Sequence, residues 1–269
     1  LVNSDDEGTR DAYNDKYYKL TADIDLSDID PNEDGTGWVP IGKYRWPETP
    51  DYSFKGTFDG NHKIISGLYI NRTGGFSGVF GQISEATIKN LGLTDVNVQG
   101  GNWSGGIAAL ALTGASIENC FVTGLVSGGQ YVGGIAGFAN GTASGDKVSI
   151  ENCYSNLIVT STGELGKSGG IAGSIQYGSI NNCYTTGNIA GFQDAGGISG
   201  RVGSKSTIRN CAALNEKIIA PAGIGRIGVS SDYTGTDAFS NNIAFSGMKV
   251  VLDGTEQAIS DGAADNKNG

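Results

Sequence analysis

The feature that most restricts what this chain can fold into is a recurrence of about thirty residues. Each of its four cysteines follows an asparagine in nearly the same setting: "SIENC" ending at Cys120, "SIENC" at Cys153, "SINNC" at Cys183 and "TIRNC" at Cys211. The asparagines Asn119, Asn152, Asn182 and Asn210 are therefore 33, 30 and 28 residues apart. A step of 29 backward reaches Asn90 in "ATIKNLGL", and a step of 32 forward reaches Asn242 in "FSNNIAFSG". A second landmark has the same beat: "SGVFGQI", "SGGIAAL", "VGGIAGF", "SGGIAGS" and "AGGISGR" each come shortly before an asparagine. Repetition at this period is the mark of stacked architectures in which no unit can bury its apolar face alone.

Each unit reads as three short β-prone runs separated by Gly, Ser or Asn, with no helix-length amphipathic pattern. With 45 glycines in 269 residues and only 5 prolines, the composition suits many tight turns between short strands rather than a proline-rich linker. Propeller blades need about 40 to 50 residues and four strands, so units of this length fit a single-stranded parallel β-helix instead. Parallel crossovers set its expected hand as right-handed. The expected fold class is thus all-β, a right-handed parallel β-solenoid of about six coils.

As a single domain over 1–269, the chain divides into an irregular capping segment (1–75), the repeat coils (76–247) and a polar end (248–269). The cap contains "YYKLTADIDLS", "WVPIG" and "FKGTFDGNHKIISGLYI", which alternate like strands but do not fit the ruler. Irregular strands are expected at a solenoid end because an uncovered edge invites association. The chain starts at Leu1 and its only methionine is Met248, so it reads as a processed or excised segment. A formal charge of −10 argues against nucleic acid and anionic membranes as partners. No run approaches the roughly 18 apolar residues of a membrane span.

The joined motifs "YKLTADIDLS", "WVPIG", "FKGTFDGNHKIISGLYI", "SGVFG…ATIKNLGL" and the iterated "VGGIAG…SIENCYSN" units resemble the GLUG-motif family. The resemblance runs from about Tyr17 to Ser246. It implies a right-handed β-helix in a bacterial cell-surface or secreted protein, among them adhesin-like proteins and non-catalytic parts of immunoglobulin A peptidases. It implies no reaction and offers no catalytic residues to transfer.

Stacked coils place Cys120, Cys153, Cys183 and Cys211 in one column, shared at its ends by Leu91 and Ile243. Four residues about 4.8 Å apart on a line cannot surround a tetrahedral zinc. Their parallel Cα–Cβ bonds leave neighbouring Cβ atoms near 4.8 Å, beyond the roughly 3.5–4.5 Å of a disulfide. The column reads as small apolar filler. Asn90, Asn119, Asn152, Asn182, Asn210 and Asn242 read as a structural ladder, because asparagine tolerates turn backbones and stacked amides bond along an axis. His62, the only histidine, lies in the turn-like "DGNHK" and suits no triad. Glu118 and Glu151 stack with Lys89, Asn181 and Arg209, which reads as a solvated face rather than the convergent carboxylate pair of a glycosidase.

Two ligand sites are open at this stage. Asp30, Asn32, Asp34 and Gly35 match the first half of a calcium loop, but position 12 is Ile41 rather than glutamate, so an acidic surface turn competes with a bound calcium. Phe76, Trp103 and Tyr131 precede the Gly-Gly landmarks and form an aromatic column, which either fills a corner or stacks against sugar rings or a partner protein. No cofactor other than that calcium is expected, and no enzymatic activity. The expected function is adhesion to a host glycan or protein ligand from an extracellular location, with a monomer favoured. The alternatives are a glycan-binding or glycan-processing module of a larger secreted enzyme, or a rigid spacer. If the cysteine column carries no bridges, titration in denaturant without reductant returns four thiols per chain; fewer would overturn it.

Overall fold

The computed structural model describes residues 2–29, 33–43, 51–230 and 238–258. They form a parallel β-solenoid of about seven turns. One column of the core shows how the register is kept. Tyr18 pairs with Phe58, Phe58 with Ile88, and the series runs on through Ile117, Ile150, Ile180 and Ile208 to Phe239. A second column, Ile107, Ile135, Ile171, Ile198 and Ile227, is joined rung to rung by backbone hydrogen bonds of 2.8–3.0 Å. All five of these isoleucines are fully buried. β-Branched side chains of one size repeat at each level because neighbouring rungs present the same half-space to be filled.

The coils carry three to five strand segments rather than a uniform three. In the coil beginning at Ser116 they are Ser116–Glu118, Phe121–Gly128, Tyr131–Gly133 and Ala136–Asn140. The first two belong to one long sheet bent at the asparagine corner. The other two belong to separate six-stranded sheets. The "GGI" landmark, taken as a single run in the sequence, is a corner. Its backbone packs so closely that a Cβ on Gly133 would lie 1.9 Å from the Ala136 carbonyl oxygen. One on Gly134 would lie 2.0 Å from that of Gly170. Buried hydroxyls serve the same corner: Ser155 donates to the Gly170 carbonyl at 2.6 Å and Thr185 to that of Gly197 at 2.9 Å.

The asparagine corner depends on left-handed backbone. Asn90, Asn119, Asn152, Asn182 and Asn210 all have φ of 52–55°. A β-branched or bulky residue resists this region, whereas asparagine adopts it readily. The sixth member is Asn241 (φ 55°), not Asn242. Asn242 is buried and occupies the cysteine column, and Ile243 pairs with Ala212 on the outward side of the next strand, 62% exposed. The ruler slipped by one residue in "FSNNIA" because two asparagines were available. The inward Phe239, paired with Ile208, fixes the register.

The ends also differ from expectation. Tyr17–Lys19, Ile24–Asp25 and Thr57–Ser66 are in parallel register with the coils that follow, so the regular stack starts well before residue 76. Ahead of it a short helix, Glu7–Asp11, is capped by Asp6, which accepts from the Thr9 amide at 2.8 Å. Its buried Arg10 lies 4.9 Å from the centroid of the Tyr52 ring and 3.2 Å from Asp11. At the other end, Lys249–Leu252 completes a coil by pairing with Lys217–Ala220. The chain then turns back at Asp253-Gly254 into Thr255–Glu256. Positive φ at both turn residues suits the type I′ hairpin that this dipeptide favours.

Asp59 anchors the first asparagine. Its carboxylate accepts from the Asn90 amide (3.0 Å), the Asn61 backbone amide (2.8 Å) and the Tyr17 hydroxyl (2.8 Å). These donors, Asn90 foremost, lower its pKa from 3.8 to about 2. A depressed carboxylate contributes stability above its ordinary value, and that contribution disappears as pH falls through about 2. The melting temperature of the wild type should therefore exceed that of Asp59→Asn at pH 6, with the gap closing between about pH 4 and 2. A gap independent of pH would show that the carboxylate charge is not what counts. Gly134→Ala forces a Cβ against backbone that has no room to move. It should cost at least the roughly 1–3 kcal/mol typical of overpacking, read as a lower urea midpoint.

Candidate functional site

A solenoid displays its outward residues in columns, so a site here is a patch of neighbouring columns. Along the first outward column Lys19, Asp59, Lys89, Glu118, Glu151, Asn181 and Arg209 follow one another in register. Glu118 accepts from Ser116 at 2.6 Å. Glu151 accepts from Ser149 at 2.9 Å and from the Asn181 amide at 3.3 Å. Each carboxylate is tied to the serine two residues before it, on its own strand. His62 is exposed within the strand Thr57–Ser66 rather than in a turn between strands, at a bend where Asn61 and His62 both have positive φ.

All four cysteines are free and buried. Their column is more polar than filler. The thiols of Cys120, Cys153, Cys183 and Cys211 each donate to the carbonyl two residues earlier at 3.1–3.2 Å, and the Cys153 amide donates to the Cys183 sulfur at 3.4 Å. Burial raises the Cys120 and Cys183 thiols well above their ordinary pKa, whereas at Cys153, against burial, and at Cys211 hydrogen bonds from the neighbouring thiols lower it. At the last rung Asn242 takes the same place. Its Oδ1 accepts from the Cys211 amide at 2.9 Å and its Nδ2 donates to the Ile208 carbonyl at 2.8 Å. The position takes a thiol, an amide or, at Leu91, a buried aliphatic side chain, and where it is thiol or amide it meets backbone partners.

The calcium candidate is only partly visible. Asp30 and Asn32 lie outside the described residues. Asp34 is exposed and accepts from the Thr36 amide at 2.9 Å and from its hydroxyl, bonds that lower its pKa. Among the described residues no group of three or more His, Cys, Asp or Glu side chains could hold a metal ion.

Phe76, Trp103 and Tyr131 do come together. Their strands pair in register, with ring centroids 4.9 Å and 6.4 Å apart and planes within 18° of parallel. Phe138 stacks on Tyr131 at 5.0 Å, and the Lys167 ammonium lies 5.2 Å from the same ring. This ladder therefore offers ring edges more than ring faces. It ends in a buried pair, Lys167 opposite Asp194. Burial lowers the lysine and raises the aspartate, and the lysine donates to the Leu165 carbonyl at 2.7 Å and to Gln193 at 3.2 Å.

A second aromatic ladder was missed in the sequence. Phe121, Tyr154 and Tyr184 each follow a cysteine, and that regularity is its signal. Centroids are 5.7 Å and 4.7 Å apart, with interplanar angles of 21° and 11°. Phe121 covers Gly92, where a Cβ would lie 2.4 Å from the ring. The column continues to Ala212 and Ile243, so the ladder ends at Tyr184, which is 42% exposed. The asparagine corner lies two residues away along its whole length.

No family model matches the chain. Halomucin of Haloquadratum walsbyi is 37% identical over 134 residues, which is 48% of this chain and 1% of halomucin. A candidate Gly-rich membrane protein of Evansella cellulosilytica is 38% identical over 108 residues, 38% of this chain and 11% of that protein. The chain thus spans only a small part of the curated relatives it matches. Among solved structures, a candidate immunoglobulin A1 protease of Bacteroides ovatus is similar in fold, with a TM-score of 0.72 and 26% identity over 93% of this chain and 75% of that one.

Proposed function

We propose that this chain is a non-catalytic binding module of a bacterial surface protein, an adhesin of the GLUG type that holds a host glycan or protein ligand on the outward face of its long sheet. The observation that carries this reading is the second aromatic ladder: Phe121, Tyr154 and Tyr184 stand on a solvent-facing strand beside a column of exposed amides. Rings that are partly exposed and bordered by hydrogen-bonding groups suit a ligand with both apolar and hydroxyl-rich surface. The carboxylates Glu118 and Glu151 are bonded to serines on their own strands, which supports binding over hydrolysis. The words mucin and membrane in the relatives' names support a place outside the cell. The first ladder, Phe76–Trp103–Tyr131, is a secondary contact surface in this reading.

One observation favours a second reading. The likeness to a candidate immunoglobulin A1 protease supports a role as an accessory module of a larger secreted enzyme.

A glycan array, with a panel of immobilised host-surface proteins beside it, tests the proposal. The wild type should bind, and Tyr154→Ala with Tyr184→Ala should weaken binding at least about tenfold, the equivalent of about 1.4 kcal/mol. Trp103→Ala with Tyr131→Ala should have the smaller effect. No binding by the wild type on either panel would overturn the proposal in favour of a spacer. Cleavage of a panel member would favour the enzyme module.

A further inference from the structure

We infer that the end of the second ladder is a subsite for one neutral pyranose ring, inserted between Tyr184 and Ile243 over Ala212 and hydrogen-bonded by Asn182 and Asn210. This rests on the binding-module reading and specifies its ligand class and position.

Three observations converge on one rung. The first is a missing ring. Tyr154 covers one face of Tyr184 at 4.7 Å, but the position stacked on the other face is Ala212, whose methyl group cannot cover an aromatic ring. The next rung carries Ile243, 62% exposed. Tyr184 and Ile243 are two strand spacings apart, about 9.6 Å, which leaves the height of one ring between them.

The second is a break in the amide ladder. Asn119 donates to Asn90, Asn182 to Asn152 and Asn241 to Asn210, each at 3.3 Å. The bonds alternate: among the described residues none joins Asn182 to Asn210, which leaves Asn182 Oδ1 as an acceptor and Asn210 Nδ2 as a donor open to a ligand. Both side chains are exposed, at the corner beside the slot. A like break separates Asn119 from Asn152, but there Phe121 and Tyr154 already fill both rungs. Only at Asn182 and Asn210 does the broken ladder coincide with an open ring face.

The third is the chemistry of the opening. It pairs an apolar wall with one donor and one acceptor a rung apart. A pyranose has the complement: a C–H face for the tyrosine, and adjacent hydroxyls, one giving a proton to Asn182 Oδ1 and its neighbour accepting from Asn210 Nδ2. A phenylalanine side chain from a protein partner could stack, but its ring by itself has no group for either amide.

Saturation-transfer NMR on the full chain tests this with the methyl β-pyranosides of glucose, galactose, mannose and N-acetylglucosamine, and with N-acetyltyrosine amide as the competing probe. At least one pyranoside should show transfer to its C–H face. Tyr184→Ala should weaken that binding at least about tenfold. Asn210→Asp, which removes the donor but tolerates the left-handed backbone, should weaken it about fivefold, one neutral hydrogen bond. Ala212→Tyr extends the ladder into the slot and should abolish binding with no loss of thermal stability, which separates occlusion from misfolding. Transfer to no pyranoside, transfer to the tyrosine amide alone, or unchanged binding by Ala212→Tyr would each overturn the subsite. If the wild type still binds on the glycan array after such a result, the binding-module reading stands and only this location falls.

Discussion

Most of this molecule follows from stacking parallel strands at one spacing, rung over rung. Once Ile117 pairs with Ile88 below and Ile150 above, most other residues of the coil are placed over their equivalents as well, with local shifts such as that between Val122 and Gly124. A side chain is therefore selected against copies of itself. Isoleucine on isoleucine fills the interior and asparagine on asparagine bonds along a corner. Where glycine meets glycine at the second corner, the backbones approach too closely for any Cβ. The cost of such a design is intolerance: a change at one rung acts on two neighbours.

The two corners solve the same problem by opposite means. At the asparagine corner one residue enters left-handed space, and its amide joins the ladder outside the coil. At the glycine corner no positive φ is needed. Lack of a side chain brings two strands together, and Ser155 and Thr185 bond carbonyls there from within. Between them the long sheet keeps a continuous outward face, on which aromatic, amide and charged columns run side by side. That face is suited to holding an extended ligand, because each rung repeats nearly the same set of contacts one strand spacing further on.

The sites followed the columns unevenly. Phe76, Trp103 and Tyr131 were legible in advance because each precedes a Gly-Gly landmark, and the structure stacks them as the alignment requires. The same alignment carries the column on to Lys167, but it could not say that Phe138 would stack on Tyr131, because Phe138 comes from a different strand and sheet. Phe121, Tyr154 and Tyr184 are equally legible, one residue after three of the four cysteines, with Ala212 after the fourth. The cysteine column reads as apolar in the sequence because the period lines it up with Leu91 and Ile243, of which Ile243 stands outside it. Its polar side, sulfur and then the Asn242 amide bonded to neighbouring backbone, depends on atoms of adjacent coils.

The sequence by itself determined the period, the all-β class, the inward and outward sense of most residues, and the corner at each asparagine. These follow from local rules: alternation along a strand, the tolerance of asparagine for positive φ, and repetition of both. Only the tertiary structure decided how many strand segments each coil has, the extension of the stack back to Tyr17, and which of Asn241 and Asn242 turns the chain. It alone placed the end of the aromatic ladder against a gap in the amide ladder. Register between rungs decides these, and register is set by many weak contacts acting together across coils, which no single repeat contains.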